Sequence, residues 1–190
     1  MDKGLTIFDI DETIFRTKAL INVIHDGFVV RKLDNQEFNT YELGPGESYD
    51  FCQFRSAEVF NATSEPIDKI IAKLRAITYN ADKVGSKVIL LTARADFDNK
   101  ELFLETFREH GIDIDKIYVE RAGNLGDGDP AKNKRVIVKR YLDTGKYSRT
   151  RFYDDSQNNV NMFISLQDEY PTIKFDGYLV NHDGSTTKVK

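Results

Sequence analysis

The sequence predicts an α/β protein on a doubly wound, mostly parallel sheet, and two observations carry the expectation. Short apolar runs alternate with amphipathic stretches along most of the chain, the pattern of parallel strands covered by helices. Polar residues suited to chemistry follow several of those runs directly, at the strand ends where open α/β sheets bind their ligands.

Residues 5–8 read as the first core strand. The chain then leaves the rhythm: Ile21 and Val23, the string His25-Asp26-Gly27, and Phe28, Val29 and Val30 read as a β-hairpin around a tight Asp-Gly turn. The stretch after it is turn-rich, and Gly44-Pro45-Gly46 breaks any regular element there. Residues 19–61 are therefore expected to form a small insertion over one end of the sheet, a flap or small cap after the first motif.

Regular alternation returns at residues 66–79. Ile67, Ile70, Ile71, Leu74 and Ile77 recur at helical spacing, with Ser64 as expected N-cap and Pro66 in the first turn. A strand at 87–91 and a helix at 97–110 follow, the helix stopped by Gly111. Next come a strand at 116–119 and a helix at 131–144, stopped by Gly145. A strand at 151–153, a helix at 158–169 and a fifth strand at 177–180 complete the pattern, and the polar tail 182–190 is expected to fray.

The length of 190 residues fits one domain, residues 1–190, with the insertion inside it. With 40% apolar and 31% charged residues the chain has a globular profile, and a net charge of −4 gives no global attraction for nucleic acid or an anionic membrane. A single cysteine, Cys52, excludes an internal disulfide and points to a reducing compartment. The N-terminus turns acidic too early for a signal peptide, and no run approaches the ~20 apolar residues of a membrane helix. A cytoplasmic protein without a membrane partner is the expectation, and nothing in the pattern specifies an oligomer.

Chemistry gathers at the strand ends. Asp9 and Asp11 follow the first strand in FDIDETIF, and a spacing of two sends both carboxylates to one side if the backbone stays extended. Two like charges in one site call for a cation between them or a retained proton. The competing reading is that Asp11 and Thr13 cap a following helix. Thr92 ends a strand in LLTAR, where its hydroxyl and the next amides suit an anion; Asp154 and Asp155 end another in FYDDSQNN. A lysine lies near the start of the helix before them. Lys134 shares the inward face of Val138 and Tyr141, whereas Lys132 aligns with Val136 and Lys139, so the periodicity favours Lys134.

In that order, FDIDETIF, LLTAR, a lysine near a helix start and YDDSQNN resemble the four motifs of the haloacid dehalogenase (HAD) superfamily of phosphohydrolases. The resemblance covers about residues 4–31 and 65–180, and by order and size the chain is similar to small-cap members encoded by tailed phages. One departure is Glu12, which stands where the family often has Gly between the second aspartate and the threonine.

The resemblance implies a Rossmann-like fold and a Mg²⁺-dependent phosphatase acting through an aspartyl-phosphate. Asp9 is the expected nucleophile and Asp11 the acid and base. The metal is expected on the Asp9 and Asp154 carboxylates and the Asp11 carbonyl, with Asp155 nearby. Thr92 and the Ala93 amide are expected to hold phosphoryl oxygens, Lys134 or Lys132 to offset charge beside the nucleophile, and Arg94 to help bind the phosphate. The expected partner is a phosphorylated substrate, either a small molecule or a polynucleotide end. Competing readings are a phosphoryl-accepting receiver and a non-catalytic binding module with a retained acidic pocket.

Residues 121–151 hold nine basic residues, Arg121, Lys132, Lys134, Arg135, Lys139, Arg140, Lys146, Arg149 and Arg151, against Asp127, Asp129 and Asp143. That local excess could track a phosphate backbone; a solvated helix face with loops is the plainer reading. Gly123, Gly126 and Gly128 read as a mobile loop. His25, His110 and His182 are too scattered for a metal cluster, and Cys52 reads as structural. Phe51, Phe54 and Phe60 are expected to pack the insertion onto the core.

Overall fold

The structure, a computed structural model, describes residues 3–38, 40–126 and 129–189. Asp127 and Gly128 of the glycine-rich stretch and Lys190 of the tail lie outside the described residues.

The strands are β1 (Gly4–Phe8), β2 (Phe15–Arg16), β3 (Ile21–His25), β4 (Phe28–Leu33), β5 (Glu47–Asp50), β6 (Glu65–Pro66), β7 (Lys87–Thr92), β8 (Tyr118–Arg121), β9 (Arg149–Asp154), β10 (Lys174–Val180) and β11 (Thr186–Val189). The helices are α1 (Asn35–Phe38), α2 (Ala57–Thr63), α3 (Asp68–Val84), α4 (Lys100–Glu109), α5 (Pro130–Leu142) and α6 (Gln157–Ser165).

Six strands form the main sheet in the order β11-β10-β9-β1-β7-β8, parallel throughout except where β11 pairs antiparallel with β10. Period-two alternation builds two cores. Phe8, Val88, Leu90 and Tyr153 pack on one face against Ile70, Ile71 and Leu74 of α3 and Phe103 and Phe107 of α4. Leu5, Ile7, Ile89, Leu91 and Phe152 pack on the other against Ile137, Val138 and Leu142 of α5 and Phe163 of α6. Helices therefore cover both faces. The chain moves outward from β1 to β7 and β8, then returns through α5 to β9 on the opposite side of β1. The order reverses between β1 and β9, so their carboxyl ends flank the crevice where such sheets bind ligands. No described helix is long and apolar enough to cross a membrane.

Before α3 the chain builds two smaller sheets. β4-β3-β5 is antiparallel, and its Asp26-Gly27 turn has positive φ at both residues (50° and 81°), the geometry of a hairpin turn whose twist matches its strands. β2 pairs with β6.

Several expected boundaries move. Pro66 pairs with Phe15 in that two-stranded element, so α3 begins at Asp68, and Ser64 closes α2 instead of opening α3. Helix α2 was not expected; the Ser56 hydroxyl caps it by accepting from the Val59 amide. The segment after Gly44-Pro45-Gly46 is not wholly irregular, since Glu47–Asp50 pairs with β3. Likewise the tail does not fray: a turn with the Gly184 amide donating to the Asn181 carbonyl folds it back as β11.

Phe60 of α2 is fully buried, with its ring centroid 5.8 Å from Phe15, 5.5 Å from Phe97, 5.1 Å from Phe103 and 6.0 Å from Phe107. Phe54 is half-buried, while Phe51 remains 40% exposed against Phe38, Tyr49 and Phe54 and does not join the main core. Truncation by Phe60→Ala is expected to cost about 3–5 kcal/mol in urea unfolding. A loss below about 1 kcal/mol would mean that α2 contributes little to the core.

Candidate active site

Every chemically suggestive residue except Lys132 comes to one edge of the sheet. Asp9 follows β1, its amide donating to the Tyr153 carbonyl at 2.9 Å, and Asp154 closes the neighbouring strand β9. From the opposite core, α5 sends the Lys134 ammonium between them, 2.6 Å from Asp9 Oδ1 and 2.8 Å from Asp154 Oδ2. All three residues are buried. Lys132 is exposed, so it is Lys134 that lies at the site.

Asp154 is held further by the Ser156 amide at 2.8 Å and by Asn159 Nδ2, 3.0 Å from each carboxylate oxygen. Asp155 follows the end of β9; the residue as a whole is exposed, but its carboxylate turns in toward Asp9 and Asp154. Its amide donates to the buried Thr13 hydroxyl at 3.1 Å, which fastens the two acidic loops together. Thr13 caps no helix; none begins there.

Carboxylate oxygens of Asp9, Asp154 and Asp155 lie within 4.8 Å of one another. Asp11 is not in that group. The backbone does not stay extended: Ile14 and Phe15 both donate to the Ile10 carbonyl, at 2.8 and 3.1 Å, in a tight turn. Glu12 sits in this turn at φ 56°, a left-handed conformation that favours glycine and costs another residue about 1–3 kcal/mol.

The turn aims Asp11 at Arg94 instead. Arg94 Nε lies 3.0 and 2.9 Å from the two Asp11 oxygens and Nη2 is 2.6 Å from Oδ1. The remaining donors reach the Phe54 carbonyl at 3.1 Å and Thr17 Oγ1 at 3.3 Å. The rings of Phe54, Phe60 and Phe97 surround the guanidinium at 4.5, 5.1 and 5.4 Å. This geometry corrects the expected phosphate contact: Arg94 is 4% exposed, its donors are engaged, and it grips Asp11. The buried Thr92 hydroxyl accepts from the Arg94 amide at 3.0 Å and lies 3.5 Å from Asp11 Oδ2, with Ala93 exposed beside it.

Four further contributors escaped the sequence reading: Asn159, Thr17, the Phe54 carbonyl and Gly123. A Cβ on Gly123 would stand 2.5 Å from the Ala93 carbonyl oxygen and 2.6 Å from the Ala95 amide. Instead of a mobile loop, this glycine marks a close backbone approach that seats the segment after β7. Asn159 had a signal, lying five residues beyond Asp154 in DDSQNN and behind the capping Ser156.

Charge does not balance within the site. With all four carboxyls ionised, Asp9, Asp11, Asp154 and Asp155 are paired among the described residues with Lys134 and Arg94, a surplus of two negative charges. Burial pushes the Asp9 carboxyl well above the usual aspartate range, opposed by Lys134 and reinforced by Asp154, Asp155 and Asp11. Asp155 is pushed up to about 7 by its packed surroundings and by Asp154. Burial alone would drive the proton off Lys134, but Asp154 and Asp9 outweigh it and hold the ammonium above the usual lysine range. A site with oxygen donors and two uncompensated charges fits a hard divalent cation.

The basic stretch 121–151 does not form one stripe. Lys134 is buried, Arg121 pairs with Asp96 at 3.2 Å, and Arg135 and Lys139 both pair with Glu169. Replacing Lys134→Met should leave two buried carboxylates unpaired and cost about 3–5 kcal/mol, read by urea unfolding in chelator. A cost below about 1 kcal/mol would remove Lys134 from the centre of the site.

Among known proteins, no family model and no curated protein matches this chain. The solved structure of the HAD domain of effector protein Lem4 from Legionella pneumophila is similar, with a TM-score of 0.51 over 93% of this chain and 85% of that one, at 13% sequence identity. At that identity the likeness concerns the fold: this chain has the architecture of a HAD domain.

Proposed function

We propose that the chain is a Mg²⁺-dependent phosphohydrolase that cleaves a phosphate monoester through an aspartyl-phosphate. The observation that carries this reading is the convergence of Asp9, Asp154 and Asp155 around Lys134 at the sheet's switch point. Asp9, Asp154 and Asp155 would hold the metal, which supplies positive charge that lets an anionic nucleophile approach a phosphoryl group.

Lys134 occupies Asp9 Oδ1 and leaves Oδ2 as the attacking oxygen. As the bond from Oδ2 to phosphorus forms, the ester P–O bond breaks, and Asp11 delivers a proton to the departing alkoxide. Water then attacks the aspartyl-phosphate, Asp11 takes its proton, and inorganic phosphate leaves with the Asp9 carboxylate restored. Arg94 and Thr92 hold Asp11 beside the site, and Asp11 would turn from the guanidinium to reach the reacting oxygens. Thr92 and the Ala93 amide would bind phosphoryl oxygens.

Within the HAD superfamily the reading is a lightly capped enzyme like the small members encoded by tailed phages, with residues 19–61 as flap or small cap. Such cover admits a bulky substrate, a polynucleotide end included, as well as a small ester. The dispersed cations of 121–151 argue against a continuous nucleic-acid track there, and the lone, exposed Cys52 suits a reducing cytoplasm.

The chain should hydrolyse an aryl phosphate with Mg²⁺, lose turnover in chelator and regain it when Mg²⁺ is restored. Asp9→Asn, with its fold checked by circular dichroism, should fall by more than about 10³-fold in kcat. Wild-type turnover by that variant would rule out Asp9 as nucleophile.

A further inference from the structure

A second charged feature lies at the opposite edge of the main sheet and plays no part in the mechanism above. Between the last turns of α3 and the starts of β1 and β9 is a cleft of about 210 Å³, with Thr6, Asn80, Ser86, Arg149 and Arg151 supplying its polar lining and no carboxylate among its residues. At about 30 Å³ per water-sized group it has room for a small polyatomic ion.

Two like charges share this cleft as well. Arg149 and Arg151 stand at i and i+2 of β9, on one face and about 7 Å apart along the strand. Among the described residues neither has a carboxylate within ion-pair distance; Asp176, opposite Arg151 in register, pairs with Lys188 at 2.5 Å and feels the Arg151 charge more weakly. Arg151 Nε is buried without a hydrogen-bond partner. Lys174, opposite Arg149, adds another cation at this end of the sheet.

The cleft is also shaped from below. Gly4 opens β1, and a Cβ there would stand 3.1 Å from Arg149 Nε. The absence of a side chain at Gly4 leaves room for the Arg149 side chain, which passes over it and remains exposed at the mouth of the cleft. Ser86 Oγ accepts from the Gly4 amide at 2.9 Å, so its own hydrogen is available to a ligand.

We propose that this cleft binds a phosphate-class oxyanion carrying at least two negative charges, held by the forked donors of Arg149 and Arg151 with Ser86 as a third contact. It is a separate site: β9 carries Arg151 toward one edge and Asp154 at the other, about 10 Å apart along the strand.

The test uses the full chain in chelator at low salt, so that no metal draws the anion to the acidic site. Calorimetric titration with pyrophosphate should give one saturable site, and the Arg151 Nε–Hε resonance should shift with the same saturation. The double variant Arg149→Gln/Arg151→Gln should weaken binding by at least about tenfold. Arg151→Lys should retain more binding than Arg151→Gln, and Asp9→Asn should bind as the wild type does. Absence of saturable binding, an unmoved Arg151 resonance, undiminished binding by the double variant, or loss of binding in Asp9→Asn would each overturn the proposal. Because the wild-type resonance is read directly, the test stands even if the double variant fails to fold. None of these outcomes depends on phosphatase turnover.

Discussion

The ammonium of Lys134, sealed between carboxylates from two adjacent strands, is the interaction on which the rest of the structure depends. It joins the three parts of the doubly wound design: β1 through Asp9, β9 through Asp154, and α5, which crosses between the two sides of the sheet. A buried ion pair of this kind is weak evidence for net stability, since desolvation offsets much of its attraction. Its value is geometric. Lys134 fixes one oxygen of each carboxylate, Asn159 and the Ser156 amide complete the hold on Asp154, and the second Asp9 oxygen lies outside the Lys134 contact.

The second aspartate belongs to a different network. Arg94 ties Asp11 to the Phe54 carbonyl and to Thr17, two points in the chain between β1 and α3. A guanidinium enclosed by three aromatic rings has little freedom to follow a substrate. The same contacts that orient Asp11 also anchor the segment leading into α2, so packing around Phe54 and Phe60 is mechanically linked to the orientation of Asp11. This arrangement follows from the turn at Ile10–Phe15, where Glu12 accepts a backbone conformation suited to glycine.

Much of the architecture was legible because strong apolar periodicity and strand-end acids agree. The five core strands and the helices α3 to α6 follow from period-two and 3.6-residue patterns, and the inward face of α5 separated Lys134 from Lys132. The losses have physical causes. β11 looked like a polar tail, although His182-Asp183-Gly184-Ser185 carries the same Asp-Gly turn signal that was recognised at Asp26-Gly27. Pro66 was read as a helix start, but tertiary pairing with Phe15 claimed it for a strand. Arg94 could not be placed from sequence, because its partners come from residues 11, 17 and 54, a meeting that only the folded chain creates.

The central claim is that the surplus negative charge at Asp9, Asp154 and Asp155 is completed by a divalent cation. Crystals soaked in Mn²⁺, a stand-in for Mg²⁺ with an anomalous signal, test it most directly. The account predicts a single strong anomalous peak in contact with oxygens of these three aspartates, lost in crystals of Asp154→Asn. A saturating soak that leaves the cluster empty, or places the ion away from Asp9, would contradict it.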